Sequence, residues 1–470
     1  MVKQKVLFGI STMSLLGFSC QTPVKNENGE ATAEKTNFIV ILCDDLGYND
    51  VGAFGAADIK TPYLDRMAAE GMKLSSFYSG SPVCSPSRAA LMTGRYPERM
   101  GVNGVFFPES FTGMPAEEVT VAEVLKDAGY TTGIVGKWHL GHMPKFLPLQ
   151  QGFDEYFGIP YSNDMESVVY MRGNEVEAFE VDQRYTTQRY TQEALTFINQ
   201  HKEEPFFLYL AHSMPHVPIY ASPEFEGRSE RGLYGDVIEE IDWSVGQIMN
   251  QLDSLDLDEN TLVIFTSDNG PWLVMREHGG SAAPLREGKQ YTFEGGVRVP
   301  AIAWWKKQIP AGSEYNGLVS IMDIMPTFAS IAGAEIPDVP IDGVNILPVF
   351  KGEGERVPQE LLFYYLGDLR GYRDGNWKLK LPFDGSEPVI WKKHVDPHPL
   401  LLTNLDEDIG ERKNLADEYP EVVERLQNKM DSAVKALGPL PPSLMVRSPA
   451  DESHFDYLRG KYGEAFYYFD

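Results

Sequence analysis

Residues 81–94 (SPVCSPSRAALMTG) place a cysteine at the start of a predicted helix. Ser85 is a good N-cap and Pro86 suits the first helical position. Cys84 is therefore expected just outside the helix N-terminus, where unpaired backbone N–H groups favour negative charge and lower the pKa of a thiol. Arg88, about one turn further on, carries a planar set of donors suited to a tetrahedral oxyanion. The spacing predicts a reactive cysteine at an anion-binding helix terminus; the alternative is a half-buried cysteine beside an ordinary capped helix.

Oxygen donors occur twice directly after apolar runs. Asp44 and Asp45 follow one run, and Asp268 and Asn269 follow another. Three carboxylates and one amide suit a hard divalent cation and favour Ca²⁺ over Zn²⁺. For the pair at 44 and 45 the alternative is a turn or a helix cap. The residue types therefore predict a calcium site.

The elements that position these residues are four short apolar runs, each followed by polar residues. The runs cover residues 38–43, 131–135, 206–211 and 261–266 and lead into DDLG, GKWHLG, HSMPH and SDNG. Such runs are typical of buried parallel strands, and ligands of doubly wound α/β sheets bind at the carboxyl ends of the strands. Helices are predicted over residues 61–70, 119–128, 185–201 and 233–255, and a further strand over residues 72–78. We therefore expect an α/β fold in which a large, mostly parallel sheet lies between helices and the polar clusters meet at one site.

The pattern changes after about residue 348. Residues 352–360 are typical of a linker, and strands are predicted at 361–365 and 377–381 around a turn at 371–376. A helix is predicted over residues 419–437. The predicted organisation is a domain at 37–350 and a smaller C-terminal subdomain with an antiparallel sheet at 351–470.

Charge excludes one class of partner. The net charge of the 470 residues is −27, whereas a nucleic-acid binder needs clustered lysine and arginine. An anionic substrate must therefore be bound by a local positive site against the overall field. The chain has three cysteines, so no disulfide framework is predicted.

The N-terminal residues indicate export. Lys3 and Lys5 precede an apolar segment at residues 6–17, which is too short to span a membrane and ends in Ser19 and Cys20. Residues 1–20 are predicted to be a signal peptide and residues 21–36 a flexible tether. The Ser-Cys ending resembles a bacterial lipoprotein box, which implies a lipid anchor at Cys20 and a location in the periplasm or at the cell surface; plain secretion is the alternative.

Taken together, the motifs resemble the type I sulfatases, in particular the arylsulfatase A-like members of the alkaline phosphatase superfamily. The matching stretches are CSPSR followed by AALMTGR, DDLG, GKWHLG and DNG, and the resemblance spans residues 37–426. It implies that a formylglycine-generating enzyme oxidises Cys84 to formylglycine (3-oxoalanine). It also implies that the modified residue joins Asp44, Asp45, Asp268 and Asn269 around Ca²⁺.

The resemblance also assigns roles to residues outside the cysteine motif. Lys137 and His139 lie in GKWHLG, His216 in HSMPH and Lys289 in REGKQYT. The two lysines, with the arginine at position 88, are implied to neutralise the sulfuryl oxygens. His216 is implied to donate a proton to the leaving alcohol, and His139 to assist sulfate release. Ser162 matches a serine near the nucleophile; the alternative is a loop serine.

The substrate is expected to be a sulfated carbohydrate. His278 and Arg286, together with Trp138, Trp272 and Arg276, lie in loops next to the motifs and are candidate sugar contacts, with loop anchoring as the alternative. Two other functions remain open at this stage. One is a phosphonate monoester or phosphodiester hydrolase of the same superfamily, and the other is a non-catalytic glycan-binding lipoprotein.

Overall fold

A computed structural model describes residues 35–445 except 109, 166–167, 180 and 386–396. The predicted signal peptide, nearly all of the tether and the lipid-anchor residue Cys20 lie outside the described residues. From Thr36 onward the described residues belong to one compact unit. The boundary near residue 350 stays a prediction.

The described residues form seventeen strands. They are β1 Asn37–Cys43, β2 Met72–Leu74, β3 Phe77–Tyr78, β4 Thr131–Lys137, β5 Glu155–Ile159, β6 Val169–Arg172, β7 Glu175–Phe179, β8 Phe206–Ala211, β9 Thr261–Ser267, β10 Arg298–Val299, β11 Ile302–Trp304, β12 Ser313–Tyr315, β13 Val319–Ser320, β14 Glu360–Tyr365, β15 Asp368–Asp374, β16 Trp377–Lys380 and β17 Leu401–Asn404.

Nine α-helices lie in the same part of the chain. They are α1 Pro62–Glu70, α2 Cys84–Thr93, α3 Val121–Asp127, α4 Thr186–Gln200, α5 Leu233–Ser254, α6 Glu294–Val297, α7 Ile324–Ala332, α8 Leu347–Phe350 and α9 Pro420–Leu437. Five of the six predicted helices are confirmed as α1, α3, α4, α5 and α9, with ends shifted by at most a few residues. In the part of the chain that the structure covers, no helix has the length and apolar character needed to cross a membrane.

The main sheet has ten strands in the order β12-β2-β11-β9-β1-β8-β4-β5-β6-β7. Its central strands β9, β1, β8 and β4 are adjacent and parallel, so their carboxyl ends lie at one edge of the sheet. Alternate residues of β1 face opposite cores: Phe38 and Val40 pack with α2, α3 and α7, while Ile39 and Ile41 pack with α1, α4 and α5. The predicted mixed α/β sheet covered by helices is confirmed.

The predicted strand over residues 72–78 is wrong in detail. β2 pairs with β11 and β12 in the main sheet, whereas β3 pairs with β10 and β13 in a separate sheet of three strands. The chain passes from one sheet to the other at Ser75 and Ser76. Ser75 N still bonds to Tyr315 O at 3.1 Å, and the carbonyl of Ser76 accepts from Val319 N at 3.0 Å.

The C-terminal sheet is antiparallel, in the order β14-β15-β16-β17, and α9 packs on it as predicted. The predicted turn over residues 371–376 is confirmed only for residues 375 and 376, because residues 371–374 belong to β15. A Cβ atom at Gly371 would come within 2.6 Å of the Leu379 carbonyl oxygen on β16. The glycine therefore permits a close approach between strands rather than a turn.

Candidate active site

Side chains from four neighbouring strands meet at the carboxyl edge of the main sheet. Asp44 and Asp45 follow β1, Lys137 ends β4, His216 lies in the loop after β8, and Asp268 follows β9. Each of these side chains is at most 4% exposed. Parallel strand order therefore builds the predicted site, and the chain adds Cys84 from α2 and Lys289 from the segment before α6.

Helix α2 starts two residues earlier than predicted. Cys84 is its first residue, Val83 is the N-cap in an extended conformation, and Ser85 lies inside the helix. The Ser85 hydroxyl accepts a hydrogen bond from Phe106 N at 3.2 Å instead of capping α2. The predicted N-cap is wrong because the hydroxyl is taken by a loop that comes later in the chain.

The thiol of Cys84 lies between opposite charges. Its Sγ is 3.4 Å from Lys289 Nζ and 3.5 Å from Asp44 Oδ1. Complete burial raises the pKa of the Cys84 thiol well above its usual value, although Lys137 and Lys289 oppose this. The predicted lowering of this pKa is wrong, because desolvation outweighs the effect of the two lysines.

The carboxylates form a compact group of metal-ligand type. One ligand atom each from Asp44, Asp45, Cys84 and Asp268 lies within 4.8 Å of the others. Asn269 donates from Nδ2 to Asp45 Oδ1 at 2.7 Å, while its buried Oδ1 accepts no hydrogen bond from the described residues. An unsatisfied buried oxygen beside three carboxylates is costly without a cation. The donor set therefore fits a hard divalent cation such as Ca²⁺.

The titration of the carboxylates reflects their crowding. Burial and the neighbouring Asp44 raise the pKa of Asp268 to about 7. Burial alone would raise the pKa of Asp44 too, but Lys137 and other nearby positive groups outweigh it and hold this pKa well below its usual value. The two groups therefore respond oppositely to the same environment, as expected for like charges in close contact.

Three buried cations alternate with the carboxylates. Arg88 donates from Nε to Asp268 at 2.9 Å and from an Nη atom to the Lys137 carbonyl at 2.9 Å. Lys137 Nζ lies 2.6 Å from Asp44 and donates to Ser162 Oγ at 3.1 Å. In a similar position, Lys289 Nζ lies 2.8 Å from Asp45. The predicted serine thus belongs to the cluster, and each carboxylate has a cation within contact distance.

The two predicted proton-transfer histidines each have one ring nitrogen bound to a backbone carbonyl. His216 Nδ1 lies 2.6 Å from the Val217 oxygen, and His139 Nε2 lies 2.9 Å from the Phe106 oxygen. Because a carbonyl only accepts, these nitrogens carry the protons. His216 Nε2 is left facing Asp45, 3.6 Å away. His139 Nδ1 is buried and has no hydrogen-bond partner among the described residues.

Burial lowers the pKa of both rings. For His139 the nearby Lys137 and Arg88 add to the effect, and for His216 Lys289 does so. His212, four residues before His216, is also buried: burial lowers its pKa to about 4, and its Nε2 lies 3.3 Å from the Ser244 hydroxyl.

Two of the predicted sugar contacts, His278 and Arg286, lie outside the buried cluster of charged side chains. His278 is exposed at the end of the short 3-10 helix Leu273–His278. Arg286 is half-buried, donates to the Glu411 carbonyl at 3.0 Å and stacks 4.0 Å from the Phe293 ring. Their assignment as substrate-binding residues stays a prediction.

Two tryptophans among those candidates anchor the loops. Trp138 is buried and donates to the Phe146 carbonyl at 2.8 Å. Trp272 packs against His216, with ring centroids 5.4 Å apart, and beneath Lys289 Nζ at 4.6 Å from its centroid. Trp272 therefore positions two site residues, a role that its place directly after the DNG motif and a proline did not reveal.

Comparison with known proteins agrees with this arrangement. The family model "Sulfatase" matches residues 36–334, and the model "N-sulphoglucosamine sulphohydrolase, C-terminal" matches residues 287–436. The chain belongs to the sulfatase family, type I enzymes of the alkaline phosphatase superfamily, and is a sulfuric ester hydrolase.

Individual relatives are similar over nearly their whole length. N-acetylgalactosamine-6-sulfatase of Canis lupus familiaris is 42% identical, over 87% of this chain and 88% of that protein. Human arylsulfatase A is 39% identical, over 86% of this chain and 90% of that protein. A solved structure from work on the metabolism of multiple glycosaminoglycans by Bacteroides thetaiotaomicron superposes with a TM-score of 0.78 at 30% identity, covering 85% of this chain and 99% of that one.

The alternative functions are not favoured. A phosphonate monoester hydrolase of Agrobacterium radiobacter shares the fold with a TM-score of 0.62, covering 86% of this chain and 96% of that one, but is only 18% identical. That similarity extends to the fold alone, whereas the sulfatases named above match at about twice the identity.

Proposed function

We propose that this enzyme hydrolyses a sulfate ester on a sulfated carbohydrate, using the formylglycine formed from Cys84 and a bound Ca²⁺. One observation carries the proposal: the sulfur of Cys84, which oxidation of the side chain to formylglycine would replace with an oxygen, lies within 4.8 Å of ligand atoms from three carboxylates. The Lys289 ammonium lies 3.4 Å from the same atom. A reacting group, a cation site and a positive group for a sulfuryl oxygen thus occupy one buried spot.

Asp44, Asp45, Asp268 and Asn269 would hold Ca²⁺ together with the modified Cys84, the ion supplying Lewis-acid stabilisation and the formylglycine the attacking oxygen.

This chain's own cations bind and orient the sulfate group. Arg88, Lys137 and Lys289 are buried and already fixed by hydrogen bonds, so they need little reorganisation when negative charge develops on the sulfuryl oxygens. Ser162, bonded to Lys137 Nζ, supports that orientation. Preorganised positive groups of this kind usually contribute the largest share of the rate enhancement.

The histidines supply proton transfer at defined atoms. His216 has its Nδ1 occupied, so Nε2 is the nitrogen that exchanges a proton with the leaving alcohol. His139 has its Nε2 occupied, so Nδ1 is the nitrogen that accepts a proton when sulfate is released. Both assignments follow from the backbone carbonyls that the other nitrogens contact.

The first substrate to test is N-acetylgalactosamine 6-sulfate. Relatives at about 40% identity are named for that sugar sulfate, and a structural relative comes from work on glycosaminoglycan metabolism. We further propose export to the periplasm or the cell surface with lipidation at Cys20. Membrane fractionation of the wild type and of Cys20→Ala tests this, and equal membrane association of the two would contradict it.

The deciding experiment produces the protein together with a sulfatase-maturating enzyme. Mass spectrometry of the peptide that contains position 84 should show an aldehyde in place of the thiol, and ion chromatography should detect sulfate released from an aryl sulfate and from N-acetylgalactosamine 6-sulfate. Cys84→Ala serves as the inactive control, and an aryl phosphate diester tests the alternative ester class. Undiminished sulfate release by Cys84→Ala, or faster hydrolysis of the phosphate diester, would overturn the proposal.

A further inference from the structure

A cleft lies beside the active site, between the segment that follows Lys289 and the C-terminal sheet. It is small, with about 40 Å³ accessible to water-sized groups, and is partly open to solvent. Residues used below that line it are Gln290, Thr292, Phe293, Arg370, Lys380 and His398. Thr292 follows Lys289 by three residues, so their Cα atoms are at most about 11 Å apart. The cleft is therefore within reach of the sugar next to the one whose sulfate is bound by Lys289.

Lys380 is the main charged group of the cleft. It is 4% exposed, donates to the Thr292 hydroxyl at 2.6 Å and lies 4.1 Å from the centre of the Phe293 ring. Lys378, two residues earlier on β16, instead lies 2.7 Å from Glu294 and 3.2 Å from Glu411. Among the described residues no carboxylate forms an ion pair with Lys380, so the same strand carries one neutralised lysine and one that has no counter-ion there.

Other positive groups surround Lys380. Arg286 stacks on the Phe293 ring, which Lys380 also contacts, and its guanidinium lies 4.0 Å from the ring centre. Arg370 stacks on the Phe383 ring at 4.8 Å from its centre. Burial, then Lys378 and these arginines, lower the pKa of Lys380 to about 7, with Glu411 opposing. A negatively charged ligand would remove this penalty, since it would supply the missing counter-charge.

Gln290 marks the side of the cleft next to the active site. Its backbone has φ = 74°, a left-handed conformation that is strained for a residue with a side chain. Its amide N donates to the Pro82 carbonyl at 2.9 Å, close to the cysteine motif. The side chain is 5% exposed, and its Oε1 accepts no hydrogen bond from the described residues. A buried acceptor held in this way has the geometry to bind a hydroxyl or amide N–H group of a ligand.

We propose that this cleft binds the acidic group, a carboxylate or a second sulfate, of the sugar adjacent to the one that is desulfated, with Lys380 as its cation and Gln290 Oε1 as acceptor for a neighbouring hydroxyl. This inference rests on the proposed sulfatase function and extends it to a substrate class, an acidic oligosaccharide. Lys380 is a specificity-determining residue here, because it contacts the neighbouring sugar and not the reacting sulfate.

The test compares three disaccharides in which N-acetylgalactosamine 6-sulfate is linked to a uronic acid, to a sulfated hexose or to a neutral hexose. For the mature full-length enzyme we expect a higher kcat/KM for at least one acidic disaccharide than for the neutral one, and the preferred one identifies the acidic group. Lys380→Met should lower the acidic-to-neutral ratio about ten- to a hundredfold, the effect of losing one charge-assisted hydrogen bond. Lys380→Arg should retain most of the preference. Lys413→Met, which removes one charge from an exposed side chain, is the matched control.

A binding measurement separates this inference from the proposed function. Isothermal titration calorimetry with Cys84→Ala protein should show the same preference for the acidic disaccharide and the same loss in the Cys84→Ala/Lys380→Met double variant. If no substrate releases sulfate, the proposed function fails, and the calorimetry still decides on the cleft. Equal binding of acidic and neutral disaccharides, or a preference that Lys380→Met leaves intact, overturns the cleft proposal whatever the enzyme's activity.

Discussion

Replacing Lys378 by methionine tests how the C-terminal sheet is joined to the catalytic part of the chain. Lys378 is 1% exposed and lies on β16, between Glu294 of α6 and Glu411 of the loop after β17. Tyr78 of β3 donates to the other oxygen of Glu294 at 2.5 Å. Lys378→Met keeps the length of the side chain but leaves two buried carboxylates without their shared cation. We therefore expect a substantial loss of folding free energy.

The magnitude follows from Glu294. Burial would raise its pKa, but Lys378, Arg298 and Arg373 lower it from 4.5 to about 2. A shift of this size corresponds to about 3 kcal/mol, shared among the three cations. Breaking a buried pair by removing one partner costs about 3–5 kcal/mol. A decrease of about 2–4 kcal/mol in the free energy of unfolding at neutral pH is therefore expected.

The pH dependence has a definite sign. Because the folded-state pKa of Glu294 is below its unfolded value, its stabilising contribution is fully present above about pH 4.5 and is lost as the pH falls towards 2. Lys378→Met removes the share of that contribution that comes from Lys378, so the two proteins should become more similar in stability as the pH falls below about 4.5. Urea denaturation followed by tryptophan fluorescence at several pH values measures this difference.

Lys380→Met is the matched control on the same strand. Its folded-state pKa, lowered from 10.5 to about 7, means that its charge opposes folding at neutral pH and below. This substitution should leave stability unchanged or raise it, whereas Lys378→Met lowers it. Equal effects of the two substitutions, or no loss of stability in Lys378→Met at pH 7, would refute the reasoning.

Three further predictions address the cleft, the C-terminal sheet and the metal site. The ratio of kcat/KM for the acidic disaccharide to that for the neutral one should fall as the pH rises above about 7, because Lys380 loses its proton there. In Lys380→Met this ratio should not change with pH. Steady-state kinetics across this pH range measures the ratio, and a wild-type ratio that does not change would contradict the prediction. The groups that face this lysine and act on its charge are Lys378, Arg286, Arg370, His398 and Glu411. Gly371→Ala should lower the free energy of unfolding by about 1–3 kcal/mol, because its Cβ would meet the Leu379 carbonyl on β16. Gly354→Ala, at an exposed position where the nearest atom to the new Cβ is the Pro348 Cβ at 3.0 Å, controls for the loss of a glycine, and equal losses would count against the close approach. Chelation of divalent cations should abolish sulfate release and lower the melting temperature, and Ca²⁺ should restore both; full activity after exhaustive chelation would exclude the proposed ion.

The centre of the site was predictable because its residues follow buried strands. In a parallel sheet the residues after β1, β4 and β9 must converge, so the sequence indicated that Asp44, Lys137 and Asp268 would meet. Their residue types then defined an oxygen-rich cation site. Both steps need only local patterns and one topological rule.

Features that depend on distant contacts were not predictable. Ser85 has the sequence of an N-cap, but its hydroxyl is used by Phe106, and the thiol pKa is set by total burial. The sequence predicts a turn at Gly371, although the glycine is needed for the close approach of β16. The meeting of Gln290 with Lys380 at one cleft had no signal at all, since neither residue lies in a pattern that predicts its neighbour.

The C-terminal sheet therefore does more than cover the catalytic part of the chain. β16 contributes Lys378, whose pairing with Glu294 fixes the sheet to the start of α6, four residues beyond Gln290. The same strand then brings Lys380 to Thr292 in the cleft. Lys378 forms an ion pair at the junction, whereas the charge of Lys380, whose pKa is lowered to about 7 mainly by burial, is expected to oppose folding. When a protein trades stability for ligand binding, residues beside the active site can oppose folding. Opposite effects of Lys378→Met and Lys380→Met on stability would therefore show that one strand of this sheet both joins it to the catalytic part of the chain and contributes to substrate choice.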